Sequence, residues 1–231
     1  MSKLLIVCPI ANHLLLPTMR AIVELDPRGY DRADTVFLRA RPDPDADSRD
    51  AIAAQYNEAR EMTLRGGYDA LLTVECDMLV PANAIRRLRS CGADVAYGLY
   101  VLRRPPWEWN AYSVMEGMVA WPLSKVEDRA RVEWGEVVDV DGIGSGCTLI
   151  QRRVLEQIRF RADGLLHADG NRSFHDWYFA QDARAAGFTQ RCDTGVACGH
   201  IHPQDEHGAP RPSVIWPTGE PPFYRFEEFA L

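Results

Sequence analysis

Two carboxylates follow an apolar run in the segment LLTVECDMLVP, residues 71–81. Glu75 and Asp77 stand two positions apart, so on a regular strand their side chains point to the same face. Carboxylate oxygens are the ligands that hard divalent cations prefer, and a cation held there could neutralise a phosphorylated substrate. Since an isolated acidic pair is a weak pattern, a solvated strand end without a ligand is the alternative.

A further carboxylate stands at the start of a predicted helix in HDWYFAQDARAAGF, residues 175–188. Asp176 could accept a proton there as a general base, or it could simply cap the backbone N–H groups of the first turn. Asp182, on the same helix, is a second candidate for this chemistry. Gly187 is a typical residue at which a helix stops.

An imidazole ends the last predicted strand, in VACGHI at residues 196–201. His200 could join Asp77 in a mixed nitrogen and oxygen site, which Mn²⁺ tolerates. A lone histidine is more often structural, and His202 and His207 leave open which imidazole would bind the cation.

Strands and helices must position these residues, and the hydrophobic pattern alternates between the two. Near-continuous apolar runs predict buried strands, and apolar residues at helical spacing predict helices. The predicted strands are residues 3–10, 35–40, 69–77, 94–103 and 189–200, with one more after the glycine-rich turn at 142–146. The predicted helices run from Ser48 or Asp50 to Gly66-Gly67, from Pro81 to just before Gly92, after the strand that follows the glycine-rich turn, and from Asp176 to Gly187. This alternation predicts an α/β fold with a parallel-dominated sheet, in which ligands bind at the carboxyl ends of the strands.

Two segments break the alternation. Residues 103–135 are rich in tryptophan, proline and charge, and they predict a long irregular insert, which in a compact domain usually has a function. The tail, residues 203–231, is rich in proline and aromatic residues, and we expect it to wrap the surface.

The composition is that of an ordinary globular protein and predicts a single domain over residues 1–231. Hydrophobic residues make up 46% and charged residues 26% of the chain. The formal net charge of -7 argues against a protein that coats nucleic acid or anionic membrane over its whole surface. No apolar run approaches the roughly 20 residues of a membrane span. The six cysteines form no C-x-x-C pair, which favours reduced thiols and a cytoplasmic location.

Taken in order, these segments resemble the GT-A fold glycosyltransferases, particularly the family-2-like enzymes of compact bacterial or phage type. LLTVECDMLVP resembles their acidic "DxD" metal-binding segment, with Asp77 as the last acid and Glu75 in place of the usual first Asp. HDWYFAQDARAAGF resembles the helix that opens with their general base, with His175 in place of the acid that usually precedes Asp176. The resemblance extends over residues 3–202 or so.

The resemblance implies a GT-A (nucleotide-diphospho-sugar transferase) fold with a Rossmann-like, mostly parallel sheet flanked by helices. It also implies that a sugar moves from a nucleoside diphosphate, with UDP favoured, to a hydroxyl group with inversion of the anomeric centre. Mn²⁺ or Mg²⁺ would be held by Asp77, His200 and Glu75, and Asp176 would take the proton of the acceptor hydroxyl.

Positions for the two substrates follow from the same resemblance. The donor nucleotide-sugar would contact Pro9, Arg39, Asn57, Arg60, Glu75 and Cys76. The acceptor would contact Gly144, Ser145, Gly146 and Trp177. Trp107 and Trp109 belong to the insert, which falls outside the resemblance, and would contact the acceptor because aromatic faces stack on sugar rings or nucleobases. For Asn57 and Arg60 the alternative is an ordinary solvated helix face, and for Trp107 and Trp109 it is packing as a lid over the donor site. The acceptor itself could be a glycan, a small molecule or a hydroxymethylated base of phage DNA.

Three other functions share part of this pattern. A metal-dependent nucleotidyltransferase has a similar sheet, but PIANHLLLP at residues 9–17 lacks the glycine-rich phosphate loop that such enzymes carry after their first strand. An iron oxygenase would use a triad-like order of His167, Asp169 and His200 with Arg211, although that chemistry usually sits on an all-β fold. A sugar-nucleotide-binding relative without turnover is the third possibility.

Overall fold

The structure is a computed structural model and describes residues 1–10, 13–39, 47–116, 119–123, 132–164, 172–204, 207–209 and 212–228. The strands are β1 (Lys3–Ile10), β2 (Arg32–Arg39), β3 (Ala70–Val74), β4 (Met78–Leu79), β5 (Val95–Leu99), β6 (Ala111–Glu116), β7 (Val119–Pro122), β8 (Val137–Asp139), β9 (Gly142–Ile143), β10 (Cys147–Gln151), β11 (Gln190–Ala197), β12 (Gly199–His202), β13 (Ser213–Pro217) and β14 (Tyr224–Glu228). The helices are α1 (Leu16–Val23), α2 (Ser48–Arg65), α3 (Ala84–Ser90), α4 (Arg152–Gln157) and α5 (His175–Ala185). Within these ranges no helix has both the length and the apolar character needed to cross a membrane.

A seven-stranded sheet in the order β2-β1-β3-β10-β5-β11-β8 forms the centre of the fold. Strand β1 runs parallel to β2 and β3, and β5 runs parallel to β11. Every residue of β3 and β5 is buried, because α2 packs against β1 and β3 while α3 packs against β5 and β11. Burial on both faces explains why these strands are near-continuous apolar runs. The prediction of an α/β fold with a mostly parallel central sheet is confirmed.

One central strand runs against the others. Strand β10 lies between β3 and β5 and is antiparallel to both, and the edge strand β8 is antiparallel to β11. The hydrophobic pattern of a strand is the same in either direction, so the sequence could not reveal this reversal. It matters for the site because the loop before β10 thereby meets the carboxyl end of β3.

Helix boundaries follow local chemistry, with two corrections to the sequence analysis. Asp47, and not Ser48 or Asp50, caps α2, because its carboxylate accepts a hydrogen bond of 2.8 Å from the backbone N–H of Arg49. Helix α2 ends before Gly66-Gly67 as predicted. Helix α1, which begins directly before Pro17, was not predicted and connects β1 to β2.

A second sheet, in the order β14-β13-β12-β4, joins distant parts of the chain. The predicted last strand is in fact two strands, β11 and β12, which separate at Cys198. The tail, which the sequence analysis expected to wrap the surface, forms β13 and β14 over residues 213–228 and completes this sheet, with β14 at its edge. Gly199 allows β12 to pack closely against Val214 of β13, because a Cβ at position 199 would lie 2.5 Å from Cγ1 of Val214.

A third sheet, in the order β7-β6-β9, occupies part of the insert that the sequence analysis expected to be irregular. Strands β6 and β7 form an antiparallel pair, and β9 pairs with β6 directly before the glycine-rich turn. The insert is therefore attached to the segment that leads into β10, which places it above the carboxyl ends of the central strands.

Candidate active site

The acidic segment lies in the turn between β3 and β4. The predicted strand 69–77 ends at Val74, so Glu75 and Asp77 are turn residues and the alternation of a regular strand does not apply to them. The backbone N–H of Glu75 donates to the carbonyl of Gly146 over 3.1 Å, and that of Met78 donates to the carbonyl of Glu75 over 3.1 Å. These bonds fix the turn against the loop that precedes β10.

Asp77 faces His200 because β12 pairs with β4. The backbone N–H of Ile201 donates to the carbonyl of Asp77 over 2.8 Å, and His200 is the register partner of Met78. Nε2 of His200 then lies 3.7 Å from Oδ2 of Asp77, which is too long for a hydrogen bond. The structure thus brings together the two residues that the sequence analysis proposed as cation ligands.

The imidazole of His200 has one nitrogen engaged and one without a partner. Nδ1 lies 2.8 Å from the carbonyl oxygen of Val101, so in the neutral ring Nδ1 carries the proton and Nε2 carries a lone pair. Nε2 is buried and has no hydrogen-bond partner within the described parts of the chain. A buried lone pair that faces a carboxylate suits a shared cation, since metal-bound histidines usually donate their other N–H to a carbonyl or carboxylate.

Arg103 competes for the same carboxylate. Its Nη1 lies 2.6 Å from Oδ2 of Asp77, with the Arg103 side chain 46% exposed and the Asp77 side chain 19% exposed. Burial alone would raise the pKa of the Asp77 carboxyl, but the positive charges of the His200 ring in its protonated form and of the Arg103 guanidinium lower that pKa below its usual value. Asp77 is therefore ionised at neutral pH, as a cation ligand must be.

Glu75 has a different environment from Asp77. Burial, with smaller contributions from the negative charges of Asp77 and Asp176, raises the pKa of the Glu75 carboxyl to about 8. The hydroxyl of Tyr56 donates to Oε1 of Glu75 over 3.2 Å. The described residues contain no group of three or more His, Cys, Asp or Glu side chains arranged to hold a metal ion. The predicted three-ligand set of Asp77, His200 and Glu75 is therefore not formed, and only the Asp77–His200 pair remains.

Asp176 lies in the first turn of α5, as predicted. Its Oδ1 accepts a hydrogen bond of 2.8 Å from the backbone N–H of Trp177, so the carboxylate is held at the helix start. Its Oδ2 lies against Gly144, where an added Cβ would be 3.0 Å from this oxygen. The carboxylate is half-buried and lines a pocket, which leaves it accessible to a bound molecule.

Tyr100 connects the region of His200 with that of Asp176. Its ring packs edge-on against the imidazole of His200 with the ring centroids 5.3 Å apart. Its hydroxyl accepts a hydrogen bond of 2.6 Å from Nδ2 of Asn110. A Cβ on Gly144 would lie 2.0 Å from the Tyr100 hydroxyl and 2.3 Å from Nδ2 of Asn110. Only glycine fits there, so the predicted glycine-rich turn is required by side chains that flank Asp176.

The pocket beside Asp176 has a volume of about 770 Å³. Its lining combines arginines, aromatic and aliphatic side chains with the carboxylate of Asp176. The lining residues are Arg49, Leu102, Arg104, Asn110, Tyr112, Met115, Ile143, Gly144, Arg172, Ser173, Phe174, Asp176 and Trp177. A pocket of this size could hold a small molecule or part of a larger one.

The predicted acceptor residues divide into two groups. Gly144 and Trp177 line the pocket. Ser145 is 5% exposed and its carbonyl accepts from the hydroxyl of Thr73 over 3.2 Å, so its role is to join the turn to β3. Gly146 does not line the pocket either, and a Cβ there would lie 2.8 Å from the Tyr100 ring.

Trp107 and Trp109 do not line the pocket. Trp109 is 2% exposed, and its Nε1 donates to the carbonyl of Phe223 over 2.8 Å. Trp107 packs against His202 and Phe226, with ring centroids 5.6 Å and 5.1 Å away. Both rings pack against the tail, so the structure does not place Trp107 or Trp109 beside Asp176, and their contact with an acceptor stays a prediction.

Two of the predicted donor contacts are also structural. Nδ2 of Asn57 donates to the carbonyl of Phe160 over 2.5 Å, and Oδ1 of Asn57 accepts from the backbone N–H of Phe160 over 3.1 Å. Arg60 is 8% exposed, and its Nε donates to the carbonyl oxygens of Leu155 and Ile158 over 2.6 Å and 3.0 Å. Both side chains attach α2 to α4 and the segment after it, so neither is available to a nucleotide.

The other predicted donor residues lie at the expected edge of the sheet. Pro9 is buried near the end of β1, and Arg39 is exposed at the end of β2, where it pairs in register with Ile10. Cys76 is half-buried in the turn between Glu75 and Asp77. These positions are compatible with donor contacts, which remain a prediction.

The contacts of Asp182 and His202 remove them as candidates for the general base and the cation ligand. Asp182 forms a two-point ion pair with Arg161, at 2.7 Å and 2.8 Å, and is not a candidate base. Nδ1 of His202 lies 2.8 Å from the carbonyl of Gln204, on the side of the sheet that packs against Trp107. His200 is therefore the imidazole that faces Asp77. Two residues of the suggested oxygenase triad, His167 and Asp169, and the accompanying Arg211 lie outside the described residues.

Several side chains of the site were not found from the sequence. Tyr56 lies within the predicted helix that became α2 and was not singled out, yet its hydroxyl contacts Glu75. Tyr100 lies in the predicted strand 94–103 and Asn110 in the insert, and no sequence pattern marks either as a site residue. The acidic segment could have suggested Arg103, since an arginine near two carboxylates often pairs with one of them.

Comparisons with known proteins give the fold and no more. No protein-family model and no curated protein matches this sequence. The crystal structure of A197 from STIV is similar over 100% of this chain and 96% of that chain, with a TM-score of 0.59 and 20% sequence identity. At this level of identity the likeness shows only that the two chains share a mixed α/β fold with a largely parallel central sheet flanked by helices.

Proposed function

We propose that this protein is a metal-dependent glycosyltransferase of the GT-A fold that transfers a sugar, with inversion, from a nucleoside diphosphate to a hydroxyl acceptor. The observation that carries the proposal is the lone pair on Nε2 of His200, buried, unpartnered within the described residues and 3.7 Å from the ionised carboxylate of Asp77. Strand β10 runs antiparallel between β3 and β5, and a pocket that contains a further carboxylate, Asp176, lies next to the loop before it. This arrangement supports the same proposal.

The donor set fits Mn²⁺ or Mg²⁺ only in part. Asp77 and His200 offer one oxygen and one nitrogen, which suits Mn²⁺ better than Mg²⁺, and the donor diphosphate would add further oxygen ligands. A cation bound by this pair would neutralise the charge that grows on the diphosphate as it leaves. When the donor binds, Arg103 would leave Asp77 and contact the diphosphate, since a guanidinium binds phosphate oxygens well.

Asp176 is the group suited to take the acceptor proton. As the acceptor oxygen forms its bond to the anomeric carbon, the O–H proton moves to Asp176. The bond from the anomeric carbon to the diphosphate oxygen breaks, and its electron pair leaves with the nucleoside diphosphate. The bond of Asp176 to the Trp177 N–H orients the carboxylate toward the pocket, where the acceptor would bind.

The test is to incubate the protein with UDP-, GDP- and dTDP-sugars in Mn²⁺ and to measure the released nucleotides by chromatography. We expect one donor, with UDP favoured, to yield its nucleoside diphosphate, with water as the default acceptor. Asp77→Ala should abolish this release. Asp139→Ala, at a β8 side chain that is 85% exposed, is the control and should leave it unchanged.

Two results would contradict the proposal. Release of pyrophosphate from a nucleoside triphosphate and a sugar phosphate, without release of diphosphate, would indicate a nucleotidyltransferase. Binding of a nucleotide-sugar with no release of product under any of these conditions would indicate a relative that binds donors without turnover.

A further inference from the structure

Arginines line the pocket beside Asp176, although the whole chain has a formal net charge of -7. Among the residues that the structure describes, the lining contains Arg49, Arg104 and Arg172, with Asp176 as its one acidic side chain. Their chain positions are far apart, in the first turn of α2, after β5 and before α5. The fold therefore brings three guanidinium groups from distant parts of the chain to one pocket.

Arg172 is held at the pocket wall by carboxylates that lie outside the lining. Its Nη2 lies 2.9 Å from Asp47 and 3.1 Å from Asp50, and its Nη1 lies 3.2 Å from Asp50. The two acidic side chains are 37% and 52% exposed, so water screens them on the outer side. A guanidinium has five N–H donors, and these contacts orient Arg172 without using them all.

Arg49 and Arg104 are less completely paired. Nε of Arg49 is buried and finds no hydrogen-bond partner in the described part of the chain, and its Nη1 is 3.6 Å from Asp47. The guanidinium carbon of Arg49 lies 5.1 Å from the centre of the Phe174 ring, which fixes its position. Arg104 is exposed, and its side chain has no ion-pair partner among the described residues. An anion in the pocket could supply the missing acceptors.

Arg103 and Arg104 are adjacent in the chain but contact different parts of the site. Arg103 contacts Asp77, where the donor diphosphate would bind, whereas Arg104 lines the pocket of Asp176. The charge in the pocket is therefore additional to the charge available for the donor.

We propose that the acceptor is a small phosphate ester, whose phosphate binds Arg49, Arg104 and Arg172 while its reacting hydroxyl faces Asp176. This inference rests on the proposed function. Phosphate suits the lining because its oxygens can accept bidentate hydrogen bonds from guanidinium groups. Tyr112 and Trp177, with ring centroids 6.0 Å apart, offer aromatic faces for the ring that carries the phosphate.

A small phosphate ester fits better than a nucleic acid. A polymer would need a basic surface that continues beyond the pocket, whereas the chain as a whole is acidic. A pocket of about 770 Å³ holds one sugar or nucleoside phosphate with room for the transferred sugar.

Calorimetric titration without donor tests the phosphate contacts. Glucose 6-phosphate and uridine 5′-phosphate are compared with glucose and uridine at constant ionic strength. In at least one of the two pairs we expect the phosphorylated compound to bind at least roughly tenfold more tightly, the factor for one hydrogen bond to a charged group. Arg49→Gln and Arg104→Gln should each remove most of that difference. Arg86→Gln, at an exposed position on α3 outside the pocket, is the matched control.

The outcomes separate this inference from the proposed function. Equal affinity within both pairs, or variants that weaken binding of UDP with Mn²⁺ instead of the phosphate ester, would overturn the acceptor assignment, even if nucleoside diphosphate is released from a donor. Phosphate-dependent binding in a protein that releases no nucleoside diphosphate would leave the anion site standing and remove the proposed function. Binding of single-stranded oligonucleotides that tightens with length and weakens steeply with salt would also overturn the assignment, in favour of nucleic acid.

Discussion

Nε2 of His200 lies 3.7 Å from Oδ2 of Asp77, across the antiparallel pair of β12 and β4. The two residues are far apart in the chain, and the pairing of a two-residue strand brings them together. In a neutral His200 ring whose Nδ1 donates to Val101, the lone pair of Nε2 faces the ionised carboxylate, and two electron-rich atoms at this separation do not attract each other. A cation between them would make the arrangement favourable, and the predictions below depend on this relationship.

Removal of Arg103 should strengthen the binding of Mn²⁺ in the absence of donor. The guanidinium is 2.6 Å from Asp77, and a cation must displace it. Since a partly exposed ion pair contributes at most about 1 kcal/mol, we expect Arg103→Ala to bind Mn²⁺ up to about fivefold more tightly. Arg103→Lys, which keeps the charge, is the control. Weaker binding by Arg103→Ala than by the wild type, measured by calorimetry, would show that Arg103 does not compete.

Substitution of Gly144 should disturb both stability and activity. A Cβ there would lie 2.0 Å from the Tyr100 hydroxyl, and overpacking of this kind typically costs about 1–3 kcal/mol of the free energy of unfolding. Tyr100→Phe removes the closest contact, so the double variant Gly144→Ala/Tyr100→Phe should regain part of the loss. Urea denaturation of the four proteins measures this coupling. Additive effects of the two substitutions would mean that the two groups do not meet.

The turn around Gly144 also shows how far the sequence could predict this molecule. Buried apolar runs predicted β1, β3 and β5, and glycine stops predicted the ends of α2 and α5, although the residue that caps α2 is Asp47 and not Ser48 or Asp50. These elements follow from local patterns of burial and hydrogen bonding. The Glu75-to-Asp77 segment and Asp176 were found because strand ends and helix starts can be read locally.

Long-range pairing could not be read in this way. Strand β4 has two residues, and nothing local shows that it pairs with β12 or that the tail adds β13 and β14. The roles of polar side chains could not be predicted either. Asn57 and Arg60 have the sequence pattern of a solvated or ligand-binding helix face, yet both bind backbone carbonyls in the interior. The distinction depends on where α4 and its following segment pack, which a helical pattern does not specify.

Asp176→Asn should lower the turnover of donor by roughly 10²- to 10⁴-fold, the usual contribution of a general base. The amide keeps the shape and can still accept the N–H of Trp177, so the binding of UDP with Mn²⁺ should stay within about twofold of the wild type. Product release in Mn²⁺ measures the first quantity, and calorimetry measures the second. Turnover equal to that of the wild type would remove Asp176 from the mechanism.

His175 should make the fold sensitive to mild acid. Burial lowers the pKa of His175 below its usual value of about 6.5, and the adjacent carboxylate of Asp176 opposes this effect only in part. Its ring packs on Tyr56 with centroids 4.0 Å apart, and neither nitrogen has a hydrogen-bond partner within the described ranges. The unfolded chain therefore takes up a proton that the folded chain resists.

The sign for His175 follows from linkage: its contribution to stability is full above about pH 6.5 and falls as the pH decreases through the range between its unfolded and folded pKa values, by at most about 1.4 kcal/mol per pH unit. Glu75, whose pKa is raised to about 8, contributes in the opposite direction, so the comparison with a His175 variant isolates the histidine. Urea denaturation at pH 7.5 and 5.5 measures the loss. His175→Phe should keep the ring packing and show a smaller loss between the two pH values. An equal loss in wild type and variant would assign the acid sensitivity to other groups.

The central claim is that Asp77 and His200 together bind one cation that carries the donor diphosphate. Pulsed electron paramagnetic resonance of Mn²⁺ with UDP bound to the protein tests it most directly, because a directly bound imidazole nitrogen gives a resolved coupling. We predict a histidine nitrogen coupling in the wild type, its loss in His200→Phe, and loss of the Mn²⁺–UDP complex itself in Asp77→Ala. His13→Ala, at an exposed position, should leave the coupling unchanged. A nitrogen coupling that persists in His200→Phe, or a complex of equal affinity in Asp77→Ala, would contradict the account.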